Sequence, residues 1–221
     1  MRAFDLVHKG DEHGFSLLEM LVALGILMAV FGFVATGTMQ LQHRANMEAS
    51  KVDLTQEARS FLDQVSRDIR QTGFPSVRTV DPAMAAANPN SFAVGLIDVE
   101  PGKLVMEGDM DGSGQVSDVT VELIPAGGPC PCVLRRGSVT KAAAALGGAP
   151  AYYTEVTNVM NSNVFTAYFY DGTVVPLPAL PADLPNIKNI GLTLNVQTTY
   201  ADPIDHAPAT ITMASKAKIN N

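Results

Sequence analysis

Hydrophobic and polar positions divide this chain into three regimes. From Phe15 to Leu41 apolar residues dominate 27 positions, and Glu19 is the only formal charge among them. About 20 such residues cross a bilayer as a helix, so the run is long enough to span a membrane. From Arg44 to Thr72 the pattern becomes one-sided and contains neither proline nor glycine. Leu54, Ala58, Phe61, Val65 and Ile69 recur at steps of four, three, four and four, and Leu62 widens the stripe. Arg59, Asp63, Gln64, Arg67 and Arg70 take the other positions. This is one apolar face of an amphipathic helix. Gly73-Phe74-Pro75 supplies the stop. The two halves join into a single helix from Phe15 to near Thr72, about 85 Å long at roughly 1.5 Å per residue.

Beyond Pro75 the period shortens to that of strands. The runs are Phe92–Val99, Lys103–Glu107, Asp118–Ile124, Val133–Arg136, Tyr152–Val159, Val164–Tyr170, Gly191–Thr199 and Thr210–Ala217. Asp81–Asn90, Pro125–Pro131 and Pro176–Pro185, rich in Pro with Ala, Asn or Gly, interrupt them. A helix followed by consecutive strands predicts an α+β fold, with a long N-terminal helix packed on an antiparallel sheet.

Glu19 is the informative residue. A carboxylate inside a hydrophobic span costs about 2.5–3.5 kcal/mol on insertion scales, so its presence calls for a function. An ordinary secretory signal does not account for it. Such signals have shorter apolar cores and a small-x-small cleavage site, and cuts after Ala29 or Ala35 would place Leu27 or Phe33 where a small residue belongs. A plain membrane anchor explains the length but neither Glu19 nor Gly14 abutting the run.

The segment G-F-S-L-L-E-M-L-V-A-L-G-I-L-M-A-V, residues 14–30, resembles the processing and assembly signal of type IV pilins and type II secretion pseudopilins. The resemblance implies cleavage by a prepilin peptidase between Gly14 and Phe15, N-methylation of Phe15, and pairing of Glu19 with the terminal amine of a neighbouring subunit. Each charge alone is expensive in an apolar core, and pairing removes much of that cost. The leader, Met1–Gly14, sets Arg2 and Lys9 against Asp5, Asp11 and Glu12, whereas family leaders are basic before the glycine. Arg44 and Lys51 lie beyond the span, so charge does not orient it and orientation rests on the motif.

A second stretch, S-R-D-I-R-Q-T-G-F at residues 66–74, resembles the end of this helix in minor pilins of the PilW type and PulJ-like minor pseudopilins. Similarity is strong over residues 14–74 and loose afterwards, as in V-F-T-A-Y-F-Y-D-G at 164–172. It implies a pilin-like fold with a leader at 1–14, a helix at 15–73 whose first part (15–41) forms the membrane or filament core, and a β-rich head at 74–221. The implied role is to assemble into, or prime and tip, a type IV pilus or type II secretion filament. The implied partners are other minor pilins or pseudopilins, the major pilin and the prepilin peptidase. The implied location is the inner membrane, single-pass with the head in the periplasm, and then the filament. The alternative is a periplasmic binding module on a permanent anchor, with calcium bound.

Composition narrows the classes further. The leader holds two of the 15 basic and three of the 22 acidic residues, so the mature chain carries 13 against 19, a formal charge of −6. With Arg135-Arg136 as its one local basic spot, the chain is not built for nonspecific nucleic-acid binding. G-x-S-x-G, P-loop and H-E-x-x-H motifs do not occur in it, and no enzyme site is expected.

Two local patterns carry other chemistry. Cys130 and Cys132 in P-C-P-C are a local disulfide or two free thiols, since a bridge across one residue closes a tight ring. A zinc site would have to gather them with His43 and His206. Asp109, Asp111, Ser113, Gln115 and Asp118 in D-M-D-G-S-G-Q-V-S-D place oxygens around glycines as calcium loops do, with Gly114 at the sixth position. Thr120 stands at the twelfth, where an EF-hand has glutamate, and the flanks read as strands. A polar hairpin turn fits the same residues. Calcium is the one cofactor the sequence suggests.

Overall fold

The computed structural model describes residues 16–125, 127–201 and 207–219. Helix α1 runs from Leu17 to Gln71, and the expected single helix is observed, ending one residue before Thr72. Two short helices follow, α2 (Pro82–Ala87) and α3 (Lys141–Ala145). The strands are β1 (Leu96–Glu100), β2 (Lys103–Gly108), β3 (Ser117–Ile124), β4 (Cys132–Thr140), β5 (Ala151–Val159), β6 (Phe165–Phe169), β7 (Val174–Val175), β8 (Ile187–Ala201) and β9 (Pro208–Lys218). The architecture is α+β and pilin-like: a long N-terminal apolar helix followed by an antiparallel β-sheet head.

Among the described residues the nine strands form one sheet in the order β1-β2-β3-β4-β5-β8-β6-β7, with β9 pairing β8. Every strand pairing is antiparallel. The 15-residue β8 organises the second half of the sheet. It pairs β6 over Ile187–Leu192, meets β5 at Val196, and runs beside β9 for most of its length.

The chain divides into two compact units between Ala45 and Asn46, within α1. In the first unit, the large apolar side chains of α1 are exposed. In the second, the amphipathic stripe is covered. Leu54, Ala58, Phe61, Leu62, Val65 and Ile69 join one core with the inward positions of the sheet. Those positions alternate as a half-buried sheet requires: Leu104 and Met106 on β2, Val119, Val121 and Leu123 on β3, and Ile190, Leu192, Leu194 and Val196 on β8. Each such side chain contributes about 1.5–3 kcal/mol by leaving water.

The end of α1 is fastened to β2. Gly73 takes φ +84°, the left-handed conformation that closes helices, and its N–H donates to the Glu107 carbonyl at 2.8 Å. The Asp109 N–H donates to the Phe74 carbonyl at 2.8 Å. Here α1 comes so close that a Cβ on Gly108 would sit 2.6 Å from the Gln71 carbonyl oxygen.

The structure departs from the sequence reading in several places, and it adds α3 and β7, which the sequence reading did not include. Asp81–Asn90, expected as an irregular breaker, contains α2. Asp81 caps it by accepting from the Ala83 N–H at 2.7 Å, Pro82 presets the first turn, and alanines continue it. The first strand begins at Leu96 rather than Phe92, because the preceding residues are held elsewhere. Ala93 donates to the Pro75 carbonyl at 2.7 Å and accepts from Val77 at 3.3 Å. Strands β4, β8 and β9 also extend beyond their apolar runs, to Thr140, Ala201 and Lys218. Thr140, Ala201 and Lys218 pair with Ser117, Pro208 and Asn189 on the neighbouring strands.

Candidate functional site

The processing positions Gly14 and Phe15 lie outside the described residues. The site can be built from Ser16 onward. Ser16 precedes α1, and its carbonyl accepts from the N–H groups of Glu19 at 3.0 Å and Met20 at 3.1 Å, closing the first turn. Glu19 therefore sits in the first helical turn, where the exposed N–H groups carry partial positive charge that favours an anion. Its side chain is exposed, and among the described residues no basic group forms an ion pair with it. Leu17, Leu18, Met20, Leu21 and Val22 surround it and are exposed as well. The result is one carboxylate on an apolar cylinder, chemically suited to a single positive charge delivered by another apolar surface.

The glycines of this half are also open. Helix α1 continues through Gly25, Gly32 and Gly37, and, the adjoining residues and nearby backbone of the helix itself aside, no atom of the described residues lies within 4 Å of where their Cβ atoms would be. Each leaves a bare strip of backbone that another helix can approach closely. The helix is long and apolar enough to cross a membrane by length and composition.

The basic spot Arg135-Arg136 has an internal explanation. Arg136 Nε donates to Asp68 Oδ2 at 2.7 Å, and Gln64 Nε2 donates to Asp68 Oδ1 at 3.0 Å. Asp68 is 0% exposed, and the Arg136 side chain 19%. Arg135 reaches Glu122 at 2.6 Å and lies over the Tyr152 ring at 4.1 Å. Both guanidinium groups therefore serve the fold, and the first clasps α1 to β4. Sequence reading missed Asp68. The available signal was its position: three residues beyond Val65, next to Ile69, it falls on the apolar stripe.

Burial also acts on Glu57 of α1. Loss of solvent pushes its carboxyl above the ordinary range, against a lowering hydrogen bond from the Thr157 N–H at 2.9 Å, while the Glu155 charge adds to the rise.

Between β2 and β3, the loop residues from the sequence pattern lie together. Asp109 Oδ2 accepts from the Gly114 N–H at 2.9 Å, Asp111 Oδ1 from Ser113 at 3.0 Å, and Ser113 Oγ from Gln115 at 3.3 Å. Asp118 pairs across the hairpin with Glu107. Its carboxyl is raised by burial and by the Glu107 charge, against Lys141. Thr120 stands inside β3 opposite Val105. Among the described residues, no three His, Cys, Asp or Glu side chains converge as a ready metal cluster. Cys130 and Cys132 are joined as a disulfide, which leaves no thiolate for zinc. His206 falls outside the described residues.

Residues 9–37 match the model of the prokaryotic N-terminal methylation motif. Among curated proteins and solved structures no match to the chain was found. The motif is a type IV pilin-like signal and supports a pilin or pseudopilin component. Such a signal implies processing by a prepilin peptidase and assembly with other pilins. Together with the single N-terminal apolar helix, it supports anchoring in the inner membrane and later entry into a filament. Signal and fold together suggest a structural rather than an enzymatic protein.

Proposed function

We propose that this chain is a minor pilin or minor pseudopilin of the PilW or PulJ-like type that joins, and primes or tips, a type IV pilus or type II secretion filament. The observation that carries this reading is a coincidence in one helix. The methylation motif at 9–37 overlays the half of α1 whose apolar surface the chain leaves exposed, and Glu19 lies inside it. A soluble monomer rarely exposes a continuous apolar surface of this extent, and one that does presents a docking or membrane surface. In this reading, residues 1–14 are the leader and are cut away after Gly14. Residues 15–73 form the helix, with 15–41 as the membrane and then filament core. Residues 74–221 form the head, on the periplasmic side before assembly.

The chemistry is assembly rather than turnover. Extraction from the bilayer into a helical bundle exchanges lipid contacts for packing between helices, with the open glycines allowing close approach. Glu19 pairs with the methylated amine of Phe15 on a neighbouring subunit and so fixes the axial register. The pair survives burial only when both charges are present. The partners are other minor pilins, the major pilin and the prepilin peptidase.

The test is the mature N-terminus. Intact-mass and N-terminal analysis of membrane-extracted protein is expected to show a chain beginning at methylated Phe15. A retained leader in cells that express a prepilin peptidase, or a start beyond residue 30, would contradict the reading.

A further inference from the structure

The loop between β2 and β3 carries a feature that a plain hairpin turn does not require. Asp109 is only 8% exposed, and its Oδ1 is buried without a hydrogen-bond partner. A buried carboxylate oxygen without a partner destabilises the fold unless something positive meets it. Its other oxygen accepts from Gly114, five residues on, which places the carboxylate inside the loop. Gly112 and Gly114 take φ of +72° and +81°, a path that wraps the chain around that carboxylate. The Asp111 carboxylate, two residues after Asp109, accepts from the Ser113 N–H at 3.0 Å. At the root of the loop, Asp118 has a second buried oxygen with no partner. Glu107 is already engaged by Lys141 Nζ at 2.8 Å. The one ammonium group at this end, Lys141, is thus taken up by Glu107 and leaves the Asp109 carboxylate without a cation.

We infer that the Asp109–Asp118 loop binds one calcium ion, through the Asp109 and Asp111 carboxylates, the Ser113 hydroxyl and the Gln115 main-chain carbonyl, with water completing the shell. Calcium takes 6–8 oxygens and accepts hydroxyls, carbonyls and water among them, so it does not need three converging acidic side chains. Sodium-like monovalent ions would leave most of the surplus negative charge in place. Magnesium demands near-ideal octahedral geometry and gives up water reluctantly, which a mixed, partly exposed loop does not favour. The consequence is mechanical. The loop root is bonded to the end of α1 through Gly73–Glu107 and Phe74–Asp109, so a bound ion stiffens the joint between the helix and the sheet. This inference stands apart from the filament role, because it concerns the head alone.

The experiment is calorimetric titration of calcium chloride into the full chain in detergent micelles after chelator treatment, with magnesium chloride as the comparison. One calcium site per chain is expected, with a dissociation constant on the order of 10⁻⁴–10⁻³ M, as in extracellular modules. Asp109→Asn combined with Asp111→Asn should weaken binding at least tenfold while the circular dichroism of the sheet persists. If that variant misfolds, Ser113→Ala, which keeps both carboxylates, should still weaken binding several-fold in a folded chain. Absence of calcium binding by the native chain up to ~10 mM, beyond the weak end of such sites, would overturn the inference. Equal affinity in native and folded variant chains, or equal affinity for calcium and magnesium, would overturn it too.

Discussion

Asp68→Ala removes the acidic half of the clasp between α1 and β4. The native carboxylate is 0% exposed and takes Arg136 at 2.7 Å and Gln64 at 3.0 Å. The variant leaves the Arg136 guanidinium, 19% exposed, without its partner. Breaking a buried pair from one side typically costs about 3–5 kcal/mol, because an uncompensated charge stays behind. The neighbouring pair provides the control. Arg135 and Glu122 meet at 2.6 Å, with side chains 37% and 18% exposed, so water still reaches both charges. Solvent weakens such a pair, toward the roughly 0–1 kcal/mol of fully exposed ones. Glu122→Ala should therefore cost less than Asp68→Ala does, although both remove one carboxylate from one arginine. Urea unfolding of the full chain in detergent micelles, followed by circular dichroism of the sheet, reads both values. Replacing both Asp68 and Arg136 by apolar residues of similar volume should recover much of the loss, since no charge then remains buried. Equal costs for Asp68→Ala and Glu122→Ala would refute the reasoning.

Gly108→Ala should destabilise the head by about 1–3 kcal/mol, the usual cost of overpacking, because its Cβ would press on the Gln71 backbone oxygen. A thermal melt within error of the native chain would show that the α1–β2 contact relaxes freely. Glu57 gives a pH signature. Its carboxyl is raised in the fold, so the folded state holds the proton more tightly than the unfolded state, and this group's contribution to stability falls as pH rises above the ordinary carboxylate range. Glu57→Gln keeps an oxygen for the Thr157 N–H and removes the charge. It should melt higher than native protein at pH 7, and the difference should vanish toward pH 4; a gap independent of pH would contradict the assignment.

The helix was legible because its two halves obey simple patterns. Leu54, Ala58, Phe61, Leu62, Val65 and Ile69 are all core residues, and Gly73 does close the helix. The cores of most strands were legible for the same reason, as in Leu104 and Met106 or Leu192 and Leu194, which alternate with polar neighbours. What sequence could not reveal depends on distant partners. Asp68 looks like one more charge on a helix until Arg136, 68 residues away, is folded over it. Arg135 and Arg136 read as a basic spot for the same reason. The alanine-rich α2 was hidden because proline signals both a break and a helix start, and the Asp81 cap decides between them. The pairing of β9 along β8 rests on backbone bonds, which weak apolar alternation does not announce. At the N-terminus, the methylation motif was readable at once, since it is local in sequence.

Glu19→Ala tests assembly most directly. Losing the carboxylate makes membrane insertion easier by about 2.5–3.5 kcal/mol, so any loss of function cannot be assigned to failed anchoring. An unpaired buried amine costs about 3–5 kcal/mol in the filament, and about 1.4 kcal/mol is already tenfold in an equilibrium. Incorporation should therefore fall by roughly two orders of magnitude or more, while cleavage after Gly14 proceeds as in the native chain. The measurement is co-purification of the variant with sheared filaments or partner pilins, alongside cleavage followed by immunoblot. A cleaved variant that is absent from the filament fraction is the expected result. Normal incorporation of Glu19→Ala, with normal filament number, would contradict the claim that this carboxylate sets the register of assembly.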